Sequence, residues 1–327
     1  MLEVILIIVI LAVLFDISNG WNDSANAIAT VVSTRVLSPL QAVILSAIMN
    51  ILGAFSSTAV AKTIGSGIVA PDSVTNIVVG SALISSFLWN AAMTLIGMPV
   101  SASHALIGSL MGAAVAFKGI GILEYAGLTK IFLALLISPV LGILGGFCLM
   151  KAILACFGTR SPGKINKVFG RLQLVSSAFM AFSHGSNDAQ KVMGIITLSL
   201  VSGGFLQALE VPFWVILVCA MAMGVGTAIG GWRVIKTLGV QMLKLQPVHG
   251  FAAETSASLI IIISSFFGLP VSTTHVISTS IMGVGATQRI RAVRWGVAGK
   301  IVLAWFFTLP MSILMAWLIC KVLLRIL

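Results

Sequence analysis

The chain has 327 residues, of which 59% are hydrophobic and only 8% charged, and its mean hydropathy is +1.14. Soluble domains carry about 25% charged residues, so a water-solvated globule is excluded and lipid must be the main solvent. The net charge of +11 sits in short loops between apolar runs, where it sets membrane topology and gives no case for nucleic-acid binding.

In chain order, apolar segments cover 2–20, 38–60, 74–97, 99–117 and 128–157, then 172–200, 208–230, 249–268, 270–288 and 295–325. None alternates like a strand and most exceed strand length, so helices are predicted. At about 20 residues per span, the chain reads as an all-α polytopic membrane protein with about ten segments, some broken or re-entrant. Met1-Leu2-Glu3 offers no basic leader before the first run, which is expected to stay as a span. Residues 158–171, with Arg160, Lys164, Lys167 and Arg171, form the longest polar stretch and read as a basic cytoplasmic loop. It separates one half, 1–157, from another, 172–327.

With that loop inside, Arg35, Lys151, Arg160, Lys164, Lys167, Arg171, Arg233, Lys236, Lys244, Arg289, Arg291 and Arg294 fall inside. Lys62, Lys118, Lys130, Lys321 and Arg325 fall outside. Twelve against five favours this orientation, with both termini outside a cell membrane.

The halves repeat. Asn22-Asp23 matches Asn187-Asp188, and Pro99-Val100-Ser101-Ala102-Ser103-His104 matches Pro270-Val271-Ser272-Thr273-Thr274-His275. Between them, Ala61-Lys62-Thr63-Ile64-Gly65 matches Ile235-Lys236-Thr237-Leu238-Gly239. Five crossings per half make these inverted-topology repeats, an arrangement found in secondary transporters with the site at the repeat interface.

Four polar constellations interrupt the apolar runs. Asp16 to Asn26 holds two carboxylates, three asparagines and a glycine, and Phe182 to Lys191 is its counterpart. Gly20 and Gly185 each precede the repeated aspartate by three residues. They are expected to let the helix open and free carbonyls for a cation, with Asp23 and Asp188 as hard oxygen ligands. The two Pro-Val-Ser segments read as helix N-termini, whose unpaired N–H groups suit an anion. Ser101, Ser103, Ser272, Thr273 and Thr274 add hydroxyls. His104 and His275 read as structural. Glu254 is a lesser candidate. The Gly108/Gly112, Gly142/Gly146 and Gly226/Gly230 spacings mark close helix packing. Cys148, Cys156, Cys219 and Cys320 read as small buried residues without a disulfide framework. No motif supports an enzyme.

At FDISNGWNDSANAIATVVSTRVLSP, MPVSASHALIG, FSHGSNDAQKVMGII and GLPVSTTHVIS the chain resembles the inorganic phosphate transporter (Pit) family, over nearly its whole length. The resemblance implies a symporter of phosphate with Na⁺ or H⁺. It implies an oxyanion held by Asp23, Asn26, Ser101, Ser103, Asp188, Ser272, Thr273 and Thr274. Asn22, Asp23, Asn187 and Asp188 are assigned to the coupling cation, with Na⁺ at Asp23 and Asp188. Sulfate carriers share the family, and an anion channel is a further alternative, which the duplicated aspartates disfavour. No other cofactor is expected. The partners are phosphate, the coupling ion and lipid, and a homodimer is an admissible assembly.

One departure stands out. The first repeat reads Asn-Asp-Ser-Ala-Asn, whereas the second reads Asn-Asp-Ala-Gln-Lys, with Lys191 at the position of Asn26. Asp188 and Lys191 are three apart and meet on one helix face. Lys191 is therefore expected to act as a tethered cation that replaces a bound ion.

Overall fold

The computed structural model describes residues 2–70 and 74–326. These form twelve α-helices, with no strand among them beyond one bridge between Val69 and Leu123. The first apolar run belongs to a longer helix, α1 (Leu2–Ser33), which passes unbroken through the polar motif. The second segment is α2 (Pro39–Ala54) and α3 (Ala59–Gly67), bent by 70°. Then come α4 (Asn76–Ile96), α5 (Ala102–Lys118) and α6 (Tyr125–Phe157).

The second half follows the same order. α7 (Pro162–Ser202) is the counterpart of α1 and runs 41 residues, so most of the basic stretch 158–171 is its first turns and not loop. α8 (Phe213–Ile229) and α9 (Trp232–Lys236, continued by a π turn to Gln241) form the second bent pair, at 63°. α10 (Pro247–Phe266), α11 (Thr273–Gln288) and α12 (Trp295–Ile326) complete the chain.

Five helices are long and apolar enough to cross a membrane, and the two bent pairs raise this to seven. The sequence predicts about ten. α5 and α11 have 17 and 16 residues, about 25 Å at 1.5 Å per residue, short of a hydrocarbon core of about 30 Å. The polar motif of α7 dilutes its hydropathy.

The bundle turns an apolar surface outward and buries its polar motifs. α6 and α12 carry exposed Leu136, Val140, Leu144, Leu303, Phe306 and Leu318, while Asp16, Asn22, Asp23, Asn187, Asp188 and Glu254 are at most 1% exposed. Cys148 and Cys156 also lie on the exposed side of α6, which corrects their expected burial, and only Cys219 and Cys320 are interior. Two apolar cores flank the polar centre. α1 contributes Ile5 to Phe15 to one and Ala25 to Val31 to the other. α7 likewise contributes Met180 and Ala181 to one and Ala189 to Leu200 to the other. The repeated motif therefore sits at the junction.

The expected helix opening at Gly20 and Gly185 does not occur, because both helices continue through them. These glycines serve close crossings. A Cβ on Gly20 would stand 2.6 Å from the Met223 carbonyl oxygen, and one on Gly185 would stand 2.6 Å from the Asn50 Cα. Two of the three paired-glycine spacings do the same, with Gly108 and Gly112 against α12 and Gly142 and Gly146 against α11; of the third pair Gly226 packs on Ile17 of α1, whereas Gly230 ends α8 at φ 73° and is no helix crossing.

A side chain at Gly112 would sit 2.8 Å from Ile313 backbone carbon. Overpacking of this kind costs about 1–3 kcal/mol. Gly112→Val should lower the unfolding temperature in detergent, whereas Gly299→Ala, with nothing within 4 Å, should not. Equal midpoints would contradict this packing.

Candidate functional site

The site is built by two helix starts meeting two helix middles. Residues 97–101 and 268–272 are not α-helical, and α5 and α11 begin directly after them. Ser101 (φ −88°, ψ 108°) and Ser272 (φ −88°, ψ 106°) cap these helices in the same conformation. Each side-chain oxygen accepts from the N–H three residues on, at 3.2 Å from His104 and 3.3 Å from His275. This is ordinary N-cap chemistry. It places the next hydroxyls, Ser103, Thr273 and Thr274, against α1 and α7.

The two aspartates are brought to one place. Thr273 Oγ1 lies 3.0 Å from Asp188 Oδ2 and 3.5 Å from Asp23 Oδ2, and Thr274 Oγ1 donates to Asp23 Oδ1 at 3.0 Å. Asn26 donates to Thr274 Oγ1 at 3.0 Å. Lys191 Nζ reaches Asp188 Oδ1 at 2.5 Å, Ser103 Oγ at 2.6 Å and the Val271 carbonyl at 3.0 Å. An ammonium has three hydrogens, and three oxygens take them. The 3-residue spacing read from the sequence thus closes a buried ion pair. It also shows that Asn26 and Lys191, at matching positions, each bond a hydroxyl at the start of the opposite half's short helix.

Asn22 and Asn187 do not join this centre through their side-chain bonds. Asn22 donates to Thr94 at 2.7 Å and Asn187 to Ser265 at 2.9 Å, binding α1 to α4 and α7 to α10. Ser101 and Ser272 stand one step back as caps. Glu254 lies elsewhere, accepting from Thr30 at 2.5 Å, from Gln173 at 2.9 Å and from Ser176, so that it stitches α1, α7 and α10 together. His104 and His275 pack with ring centroids 4.7 Å apart, and His275 stacks on Trp305 at 3.9 Å.

The residue that sequence reasoning missed is His184. Its Nε2 lies 3.7 Å from Asp23 Oδ2 and 3.4 Å from Asp188 Oδ2, while Nδ1 lies 2.8 Å from Asn50 Oδ1. Asn50 already donates through its amide to Ser46 and Thr227. Its oxygen must therefore accept, which places a hydrogen on Nδ1 and turns Nε2 toward two carboxylates. A lone pair facing two anions is repulsive, so a positive centre belongs there: a proton on Nε2 or a metal ion. One ligand atom from each of Asp23, His184 and Asp188 lies within 4.8 Å of the others. The available signal was the i, i+4 spacing of His184 and Asp188, which puts both on one face. The geometry can hold positive charge beside donors suited to an anion.

A profile of the phosphate transporter family matches residues 19–316. A probable low-affinity inorganic phosphate transporter of Bacillus subtilis is 46% identical over 310 residues, covering 94% of this chain and 93% of the relative. One from Rhizobium meliloti is 42% identical over 311 residues, with 94% and 93% covered. A solved structure described as the sodium-dependent phosphate transporter superposes with a TM-score of 0.93 at 26% identity, covering 99% of this chain and 100% of that one.

Breaking a buried ion pair from one side costs about 3–5 kcal/mol, because the remaining charge is uncompensated. Lys191→Met should therefore destabilise the protein strongly, and adding Asp188→Asn should recover much of the loss. Thermal unfolding in detergent reads both. If the double variant is less stable than Lys191→Met, the pairing is not what holds this centre.

Proposed function

Because this chain belongs to the phosphate transporter family, we propose that it is a secondary transporter that carries inorganic phosphate with a coupling cation across the cell membrane. The observation that carries the reading is the convergence of Asp23 and Asp188 on Thr273, at the start of a short helix inside a membrane bundle. Helix starts supply N–H groups and partial positive charge to an anion. Thr273, Thr274, Ser103 and Asn26 supply further polar contacts, and the caps Ser101 and Ser272 hold the helix starts in place.

Carboxylates beside an anion need a reason. Monohydrogen and dihydrogen phosphate carry O–H donors, which Asp23 or Asp188 can accept. Sulfate, without such protons, leaves those acceptors unpaired, and sites built around a hydrogen bond reject ligands that lack it by orders of magnitude. The aspartates also create the coupling. Bare, they repel the anion. With a cation among Asp23, Asp188 and His184 the repulsion is relieved, so the two affinities rise together. Sodium is the favoured cation, since the superposable relative is described as sodium-dependent.

Lys191 fills on the Asp188 side the role a second free ion would have. Its ammonium cannot leave, so it neutralises charge without contributing to the driving force. Fewer coupling ions per phosphate follow. The matched caps at Ser101 and Ser272, and the matched ties Asn22–Thr94 and Asn187–Ser265, support two inverted repeats that exchange access by rocking around the centre. The basic start of α7 lies on the cytoplasmic side in this reading, with both termini outside.

Radiolabelled phosphate uptake into proteoliposomes should require an imposed cation gradient, and Asp23→Asn should abolish it. Uptake indifferent to sodium, proton and membrane potential would refute symport. Lys191→Asn should raise the number of sodium ions moved per phosphate, and an unchanged ion dependence sinks the tethered-cation role.

A further inference from the structure

One repeated segment is still without a role: Lys62-Thr63 of α3 and its counterpart Lys236-Thr237, where α9 passes into its π turn. Both halves use it alike. Thr237 Oγ1 donates to the Gly97 carbonyl at 2.8 Å, and a Cβ on Gly97 would stand 3.0 Å from the Arg233 Cβ. A Cβ on Gly268 would likewise stand 3.0 Å from the Ala59 carbonyl oxygen and 3.1 Å from Thr63 Oγ1. Each bent pair therefore grips the glycine turn that leads into the short helix of the opposite half. A second lysine repeats as well. Lys130 and Lys300 each lie five residues after the start of α6 and α12. Arg233 has no basic match, since Ala59 holds that position.

On the Arg233 side these cations line one cavity of about 360 Å³, a size usual for small-ligand sites, which span about 300–1,000 Å³. Arg233, Lys236 and Lys300 supply its charge, and Ile96, Met98 and Ile301 part of an apolar wall. No carboxylate lines it, and every ion pair among the described residues lies at the central site. Arg233 gives an N–H to the Leu95 carbonyl, and a guanidinium has five. Lys191 is the only lysine whose ammonium is hydrogen-bonded among the described residues, so those of Lys236 and Lys300 are free.

Topology alone asks for cations in loops on one side of a membrane. Here three of them sit on helices, around one concave space, without a counter-charge. Like charges so placed repel, and an anion between them removes the repulsion. Trp232 and Trp295, beside the pocket in sequence and each about half exposed, place it at the membrane–water boundary, where tryptophan collects. The anionic group abundant there is phosphate, and basic pockets between membrane helices hold phosphorylated headgroups. A guanidinium fork matches two phosphate oxygens, while lysines act as point charges.

We propose that Arg233, Lys236 and Lys300 form a binding site for a phosphate group, separate from the central site, whose occupant is the headgroup of an anionic lipid or free inorganic phosphate. Arg233 takes two of its oxygens and the lysines neutralise the remaining charge. Arg233 and Thr237 also hold the turn at Leu95 and Gly97, so a group bound here braces the approach to the Ser101 cap. The site goes beyond the transport reading and does not depend on it.

Two probes separate the sources. Labelled inorganic phosphate bound per chain is counted by equilibrium dialysis of the protein in lipid-free neutral detergent. Phosphatidylglycerol, against phosphatidylcholine, is counted as retained adducts by native mass spectrometry. Lys236→Gln/Lys300→Gln should lose one equivalent of at least one probe relative to wild type. Lys236→Arg/Lys300→Arg should keep it, and so should Lys118→Gln/Lys321→Gln, which removes equal charge elsewhere. Loss of phosphate assigns the free ion, and loss of phosphatidylglycerol assigns the lipid. Unchanged counts of both probes in Lys236→Gln/Lys300→Gln overturn the site, as does an equal loss in either control pair. The readout is a difference from wild type, so binding at the central site cancels. A wild type that takes up no phosphate into proteoliposomes would defeat the carrier reading alone.

Discussion

Everything in this molecule is arranged around the cost of holding two carboxylates, Asp23 and Asp188, in the dry middle of a helical bundle. The asymmetric answer to that cost is Lys191, whose ammonium spends all three hydrogens on Asp188, Ser103 and the Val271 carbonyl. The ion pair also ties α7 to the start of α5 and to the strand-like approach to α11. Charge neutralisation and architecture are thereby the same contact.

The helices divide their labour accordingly. α6 and α12 put apolar side chains outward and glycine-bearing or small-residue faces inward. α1 and α7 bring polar motifs through the junction between two apolar cores. α5 and α11 are too short to span and so deliver their N-termini into the interior. This is why the anion-suited ends and the carboxylates meet at one depth.

The two halves are alike in form and unlike in charge. Caps, ties and helix order correspond, yet Asn26 faces Lys191 and Asn19 stands where the other half has His184. On the Asp188 side the second half thereby places a buried ammonium where the first half has only an amide. Function in such a frame is set by a few side chains on a shared scaffold, in keeping with the separation of fold from site.

Much of this was legible in the residues. Composition alone determined the membrane class, since so few charges cannot dress a soluble surface. Apolar runs longer than strands determined helices, the matched Asn-Asp and Pro-Val-Ser segments contained the aspartates and hydroxyls that converge, and the spacing of Asp188 and Lys191 determined their pairing, because a helix face is a local property. Tertiary structure decided the rest. Whether Gly20 would open its helix or pack it tightly depended on Met223 across the α8 contact. Whether His184 was a neighbour of both aspartates and whether Asn22 turned toward Thr94 depended on which distant helix lay opposite. Spacing along one chain carries no such information.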